Sequence, residues 1–323
     1  MTRTQQFIEK HKKVLTSGAA FYNPDTSLMK REEFDNAKCK ILLICPTPLV
    51  TKTVSSTVAA INDFIITHCP DTFLDVAYFP EAEDIKHYDA WNVPKDKNEH
   101  YNRFCYRVMK MKEAFNWFSI ASFNQCEIDK FQEHLNNLQN NCGNKIPEKK
   151  FKHGGKVGEN AVEYDMVHEQ YFPQLLCSHY NIPKIYHQLP VGVKQDGISF
   201  FAGSKAAIDL WGMNENELTI IELKYENELV GIISELFFYA SLMRDIVLGR
   251  ISKPNAVLSH EKALYNNIEK MSVIHARMLA DVYHPLVDYE HVFMLLNDNK
   301  LKNVKIDFDK SLYSYIPSTL KFQ

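Results

Sequence analysis

The sequence predicts an α/β protein with two regions. Apolar runs typical of buried strands alternate with segments in which apolar residues recur at helical spacing. One stretch, 206–228, carries two apolar runs joined by the polar turn "NENE", which is the signature of a β-hairpin. A basic, Gly-containing segment separates the two halves, and 323 residues are enough for two domains.

Residues 1–142 are predicted as an N-terminal α/β accessory region of unknown role. A buried-type strand at 40–45, a helix at 54–69 and a strand at 71–80 suggest a βαβ unit on a parallel sheet. Two further helical segments are predicted at 4–16 and 101–141. The chain contains no GxGxxG and no GxxxxGK[ST], so neither a dinucleotide site nor a P-loop is predicted.

Residues 143–158 are predicted as a linker or exposed loop. The segment contains several glycines and a cluster of lysines that includes Lys150 and Lys152. These lysines are candidates for contacts with DNA phosphates, which supply most non-specific affinity. The alternative is an ordinary solvated loop.

Residues 159–323 are predicted as the second domain, which contains the hairpin. The remaining elements are predicted as helices at 161–180 (bent at Pro173), 228–249 and 260–283, and as strands at 184–194, 291–298 and 303–317.

Composition and cysteine usage exclude several classes of protein. The formal net charge of −3 does not indicate a basic nucleic-acid binder, although a local basic face stays compatible with it. The seven cysteines are scattered without a CxxC pair, which argues against a zinc cluster or disulfide scaffold and favours a cytoplasmic location. With no apolar leader and no run of about 18 apolar residues, neither a signal peptide nor a membrane span is predicted.

The hairpin places charged residues inside apolar runs. Asp209 lies on the first strand, and Glu222 and Lys224 share one face of the second because side chains alternate along a strand. The two carboxylates repel, and burying them is costly without a compensating charge. A divalent metal supplies that charge, so these residues predict a hydrolytic metal site for phosphodiesters. The alternative, a surface salt bridge, suits the apolar context less well.

The stretch "IDLWGMNENELTIIELK" resembles the signature of the PD-(D/E)xK nuclease superfamily, and the resemblance covers roughly residues 158–250. It implies a restriction-endonuclease-like core, which is a mixed sheet flanked by helices. Many relatives carry a Gln-x-x-x-Tyr element on the helix after the hairpin. Here Glu235 stands where Gln is usual and Tyr239 where Tyr is expected.

The resemblance also implies roles for individual residues. Mg²⁺ or Mn²⁺ would bind Asp209, Glu222 and the Leu223 carbonyl, with Glu169 reaching the metal directly or through water; Glu163 is the alternative helix acid. Lys224 would position the attacking water, and cleavage would leave a 5′-phosphate. The candidate substrate-binding residues are Lys205, Tyr239, Glu235, Lys150 and Lys152.

These features together predict a metal-dependent nuclease that acts on DNA in defence or repair. Double-strand cutting with one site per chain would imply a homodimer. Two alternatives stay open: a catalytically silent nuclease fold that binds DNA or a partner, and a nuclease gated by a nucleotide sensed in the N-terminal region.

Overall fold

The computed structural model describes residues 41–45, 74–78, 95–116, 119–120, 122–140, 158–201, 206–226, 232–283, 290–316 and 319–323. The predicted helices at 4–16 and 54–69, and the candidate DNA contacts Lys150, Lys152 and Lys205, lie outside these residues.

The described helices and strands alternate along the chain. The helices are α1 (Lys95–Ala114), α2 (Ser122–Glu133), α3 (Glu159–His168), α4 (Phe172–Tyr180), α5 (Ile232–Val247), α6 (Lys262–Asn267) and α7 (Glu290–Asn297). The strands are β1 (Ile41–Cys45), β2 (Leu74–Tyr78), β3 (Ser119–Ile120), β4 (Leu138–Asn140), β5 (Ile185–Pro190), β6 (Val193–Gln195), β7 (Ile198–Ser199), β8 (Ala207–Asn214), β9 (Glu217–Lys224), β10 (Val273–Ala280), β11 (Lys305–Ile316) and β12 (Thr319–Phe322).

The chain divides into two compact units. The first comprises Met1–Asn136, Leu229–Ser234 and Pro285–Lys300, and the second comprises Asn137–Glu228, Glu235–His284 and Leu301–Gln323. In the first unit, β1, β2 and β3 form a parallel sheet in that order. The parallel pairing of β1 with β2 is the arrangement that the predicted βαβ unit requires.

A six-stranded mixed sheet forms the centre of the second unit, in the order β12-β11-β10-β9-β8-β5. Strands β9, β10 and β11 run parallel to one another, whereas β5, β8 and β9 are paired antiparallel. The mixed α/β architecture predicted for the C-terminal half is thus confirmed.

Helices cover both faces of this sheet. On one face, Val162 of α3 and Leu176 of α4 pack in one apolar cluster with Leu210, Ile221 and Leu223. On the other face, the ring of Phe237 in α5 stacks on Phe308 of β11, with centroids 6.1 Å apart. The strands of the hairpin are therefore buried on both sides, which explains why their sequences are almost continuously apolar.

Three secondary-structure predictions were wrong in whole or in part. The helical segment 101–141 forms α1 and α2 but also contains the short strands β3 and β4. The segment 291–298, predicted as a strand, is helix α7, because a short apolar run fits a buried helix as well as a strand. The segment 260–283, predicted as one helix, forms the short helix α6, a 3₁₀ turn and strand β10. Strand β10 pairs with β9 on one side and β11 on the other, and this tertiary pairing outweighs the helix propensity of its Ala, Met and Leu residues.

The predicted helix 161–180 is divided in two. Helix α3 ends at His168, and α4 begins at Phe172 with Pro173 in its first turn, where the absent proline N–H costs nothing. In the part of the chain that the structure describes, no helix has both the length and the apolarity needed to cross a membrane.

Candidate metal centre

The hairpin brings Asp209 beside Glu222, as predicted. Strands β8 and β9 pair from Asn214 opposite Glu217 to Leu210 opposite Ile221, so the next position in this register sets Asp209 against Glu222. The half-buried Asp209 carboxylate accepts a hydrogen bond from the backbone N–H of Leu223, with N and Oδ2 2.8 Å apart. This bond fixes the carboxylate across the two strands.

Glu222 and Lys224 are both buried on β9 and form an ion pair. The Lys224 ammonium donates to Glu222 Oε1 at 2.9 Å and to the Leu223 carbonyl at 2.8 Å. The Glu222 side chain is 4% exposed and that of Lys224 is 10% exposed, so this is no solvated surface salt bridge. The prediction that these charges lie within the protein is confirmed.

Helix α3 contributes two acids one turn apart. Glu159 Oε1 lies 3.5 Å from the Lys224 ammonium, and the Glu159 carboxylate also faces the backbone N–H of Tyr225. Glu163 is four residues further along and is 4% exposed. Because residues at i and i+4 share a helix face, the two acids lie on the same side of α3.

Glu163, rather than Glu169, is the α3 acid whose charge acts on Asp209. The Glu163 charge helps to raise the pKa of the Asp209 carboxyl. Glu169 instead follows the last residue of α3 as its C-terminal cap, where it acts on Tyr315. The electrostatic link to Asp209 therefore favours the alternative, Glu163, and the role of Glu169 stays a prediction.

The clustered carboxylates disfavour the charged form of Asp209. Its pKa is raised well above the usual range, first by burial and then by the charges of Glu222 and Glu163. The Lys224 ammonium and the hydrogen bond from Leu223 oppose this rise without cancelling it. An acid held at a position that resists its ionisation is typical of a functional site.

The Lys224 ammonium is stabilised by the same cluster. Burial lowers its pKa, but the charges of Glu222, Asp209, Glu235 and Glu159 outweigh burial and raise the pKa above the ordinary value. Lys224 is therefore protonated in this arrangement. It can orient a water or neutralise a phosphate, but it is not poised to accept a proton.

Glu235 and Tyr239 lie on α5 and are both buried. Glu235 acts on the Lys224 ammonium, so a carboxylate here adds negative charge to the cluster where a glutamine would not. Tyr239 is 5% exposed, with its ring 5.6 Å from that of Phe238, which is the environment of a core side chain.

The donor atoms suit a hard divalent cation, because carboxylate and carbonyl oxygens are the ligands that Mg²⁺ prefers. Among the residues that the structure describes, no group of three His, Cys, Asp or Glu side chains is arranged as a ready metal cage. The Lys224 ammonium contacts two of the predicted ligand atoms, Glu222 Oε1 and the Leu223 carbonyl. Metal binding at these atoms therefore requires the ammonium to move.

Sequence reasoning missed several residues beside the cluster. Glu159 had a usable signal, since it lies one helical turn before Glu163. His187 Nε2 lies 2.8 Å from Glu163 Oε1, and no sequence spacing links these two positions.

Gln188 of β5 occupies the register position opposite Asp209. It lies between two observed pairs of β5 with β8, His187–Leu210 and Leu189–Ile208. Its backbone φ angle is 46°. Such a conformation is uncommon for a non-glycine residue and is concentrated at functional sites.

The two candidate helix acids can be separated by a matched pair of variants. For the metal-dependent nuclease that the sequence predicts, we expect Glu163→Gln to lower DNA cleavage by about tenfold to a hundredfold, as for a group that supports metal ligands. Glu169→Gln should change it by about twofold at most. Initial rates of plasmid nicking measure both. Equal losses in the two variants would contradict the assignment of Glu163.

Comparison of the chain with protein-family models, with curated proteins and with solved structures finds no match.

Proposed function

We propose that the protein is a metal-dependent nuclease that hydrolyses phosphodiester bonds in DNA, and that its second unit has a restriction-endonuclease-like core. The observation that carries the proposal is the buried cluster on the hairpin: Asp209 is fixed against Leu223, and Glu222 is paired with Lys224. Several carboxyl groups lie around one ammonium, and such a cluster is typical of a site where a cation or a reaction needs it.

Asp209, Glu222 and the Leu223 carbonyl would hold the Mg²⁺ or Mn²⁺ ion, with Glu163 supporting Asp209. The bound ion supplies Lewis acidity toward the phosphate and lowers the pKa of water. Lys224 is a cation at the same place, so it neutralises charge that develops on the phosphate oxygens and orients the attacking water. Burial strengthens both effects because charges interact more strongly away from bulk water.

A catalytically silent binding module is the second candidate. The ion pair between Glu222 and Lys224 favours it, because the ammonium already neutralises one of the predicted metal ligands. A DNA-binding module of this kind would bind DNA equally with and without divalent metal and would cut none.

Cleavage of supercoiled plasmid and of single-stranded DNA tests the proposal directly. The purified protein is incubated with Mg²⁺, with Mn²⁺ or with EDTA. We expect nicking and degradation with either metal and none with EDTA, and the products should carry 5′-phosphates. Cleavage that persists in EDTA would contradict the metal mechanism, and DNA binding without cleavage under every condition would favour the silent module.

A further inference from the structure

A groove of about 450 Å³ lies beside β5, the terminal strand in the order of the six-stranded sheet. Its walls come from the end of α3, the first turns of α4, the segment before β5, and His260. This volume falls within the range of about 300–1,000 Å³ that is typical of small-ligand sites. The groove has room for a single nucleotide and is too small for a duplex.

The polar lining of this β5 groove consists mainly of one lysine and several rings, together with Gln174. These side chains include Lys184, His168, His187, His260 and Tyr186, and none of the described residues that line the groove is Asp or Glu. The groove is thus complementary to an anion with a planar ring, in a protein whose formal net charge is −3.

The aromatic rings of the groove stack on one another and on a buried tryptophan. Tyr186 stacks on the buried Trp211 with centroids 4.5 Å apart, and His260 stacks on Tyr186 at 5.7 Å. The Lys184 ammonium lies 4.9 Å from the centroid of the Tyr186 ring. In proteins that bind single-stranded nucleic acid, a cationic side chain contacts the phosphate and neighbouring aromatic rings stack on the base.

Strand β5 connects this groove to the carboxylate cluster. Its residues Ile185, Tyr186 and His187 line the groove, and the next residue, Gln188, occupies the register position opposite Asp209. The groove residue His187 also contacts Glu163, whose charge acts on Asp209. The groove and the candidate metal centre are therefore neighbours along β5.

We infer that the β5 groove binds a nucleotide adjacent to the scissile phosphodiester of a single DNA strand. Lys184 contacts a phosphate, and the rings of Tyr186 and His260 contact the base. The inference rests on the proposed nuclease function for the identity of the ligand. It assigns to that function a binding subsite for single-stranded DNA, with Lys184 as its principal phosphate contact.

The test compares two charge reversals of equal size in the full chain. Lys184→Glu alters the groove, whereas Lys305→Glu alters an exposed lysine on β11, four strands away in the same sheet. Binding of a short fluorescein-labelled oligodeoxythymidine is followed by anisotropy in EDTA, where metal-dependent cleavage cannot proceed. We expect Lys184→Glu to weaken binding by about tenfold relative to Lys305→Glu. The slope of the logarithm of the binding constant against the logarithm of the salt concentration should also become shallower by about one.

His260→Ala provides a second variant that leaves the sheet charge pattern intact. It should weaken binding by about fivefold or more through lost stacking. Kinetics on the same strand with Mg²⁺ should show that Lys184→Glu raises KM more than it lowers kcat.

The outcomes separate this inference from the proposed function. If the wild-type protein cuts DNA but Lys184→Glu and Lys305→Glu bind the oligonucleotide equally, the groove assignment is wrong and the nuclease stands. If Lys184→Glu weakens binding selectively in a protein that cuts nothing, the groove stands and the nuclease is wrong. An absence of oligonucleotide binding by the wild-type protein overturns the groove assignment.

Discussion

Asp209→Asn is expected to abolish metal-dependent DNA cleavage while making the folded protein more stable at neutral pH. The asparagine retains an oxygen that can accept the hydrogen bond from Leu223, so the hairpin geometry is kept. It loses the charge that would bind metal. We expect the cleavage rate to fall by about a thousandfold, which is the size of the loss when one contact to the transition state is removed.

The gain in stability follows from the raised pKa of Asp209. A carboxyl whose folded pKa lies above its unfolded value contributes stability that is present below the unfolded pKa and is lost as pH rises through the folded pKa. Above the pKa that Asp209 has in the unfolded chain, the folded protein therefore loses stability, because burial, Glu222 and Glu163 all oppose the ionised carboxylate. The substituted asparagine cannot ionise, so the midpoint of urea unfolding should be higher in this variant and should depend less on pH.

Asp196→Asn is the matched control, because Asp196 lies exposed in the turn between β6 and β7. It should change neither cleavage nor the unfolding midpoint. Loss of stability in Asp209→Asn, with cleavage retained, would contradict the assignment of Asp209 to a functional cluster and would indicate a structural carboxylate.

Lys224→Met is expected to destabilise the protein in EDTA by about 3–5 kcal/mol, the usual cost of leaving a buried charge without its partner. The variant removes the ammonium that contacts Glu222, the Leu223 carbonyl and Glu159. Methionine retains most of the apolar stem, so lost packing contributes little. Urea unfolding in EDTA, compared with the exposed control Lys305→Met, measures this cost.

Divalent metal should reverse much of this loss. The ammonium and the metal compete for Glu222 Oε1 and the Leu223 carbonyl, so Lys224→Met should bind Mg²⁺ more tightly than the wild-type protein does. A ligand that binds only the folded state stabilises it in proportion to the logarithm of its concentration over Kd. Thermal unfolding with increasing Mg²⁺ should therefore shift more in the variant, although the variant cuts DNA poorly. An equal shift in both proteins would show that Lys224 and the metal do not share ligands.

The hairpin and its charged residues could be predicted because the evidence for them is local. Two apolar runs joined by a polar turn determine the pairing of β8 with β9, and the alternation of side chains then sets Glu222 and Lys224 on one face. The pattern was also strong enough to predict the burial of these charges.

Other features depend on contacts between distant segments. Strand β10 contains helix-forming residues, and only its position between β9 and β11 makes it a strand. The choice between Glu163 and Glu169 depended on where α3 ends, and helix ends are poorly marked when no side chain caps them. The contact between His187 and Glu163 joins β5 to α3, and the spacing of these residues in the sequence does not predict it.

Calorimetric titration of the apo protein with Mg²⁺ and Mn²⁺ tests the central claim, that the cluster on the hairpin binds a divalent metal. The account predicts saturable binding by the wild-type protein, strong weakening in Glu222→Gln and Asp209→Asn, tighter binding in Lys224→Met, and no change in Asp196→Asn. An absence of binding in the wild-type protein and in Lys224→Met, or undiminished binding in Glu222→Gln and Asp209→Asn, would contradict it.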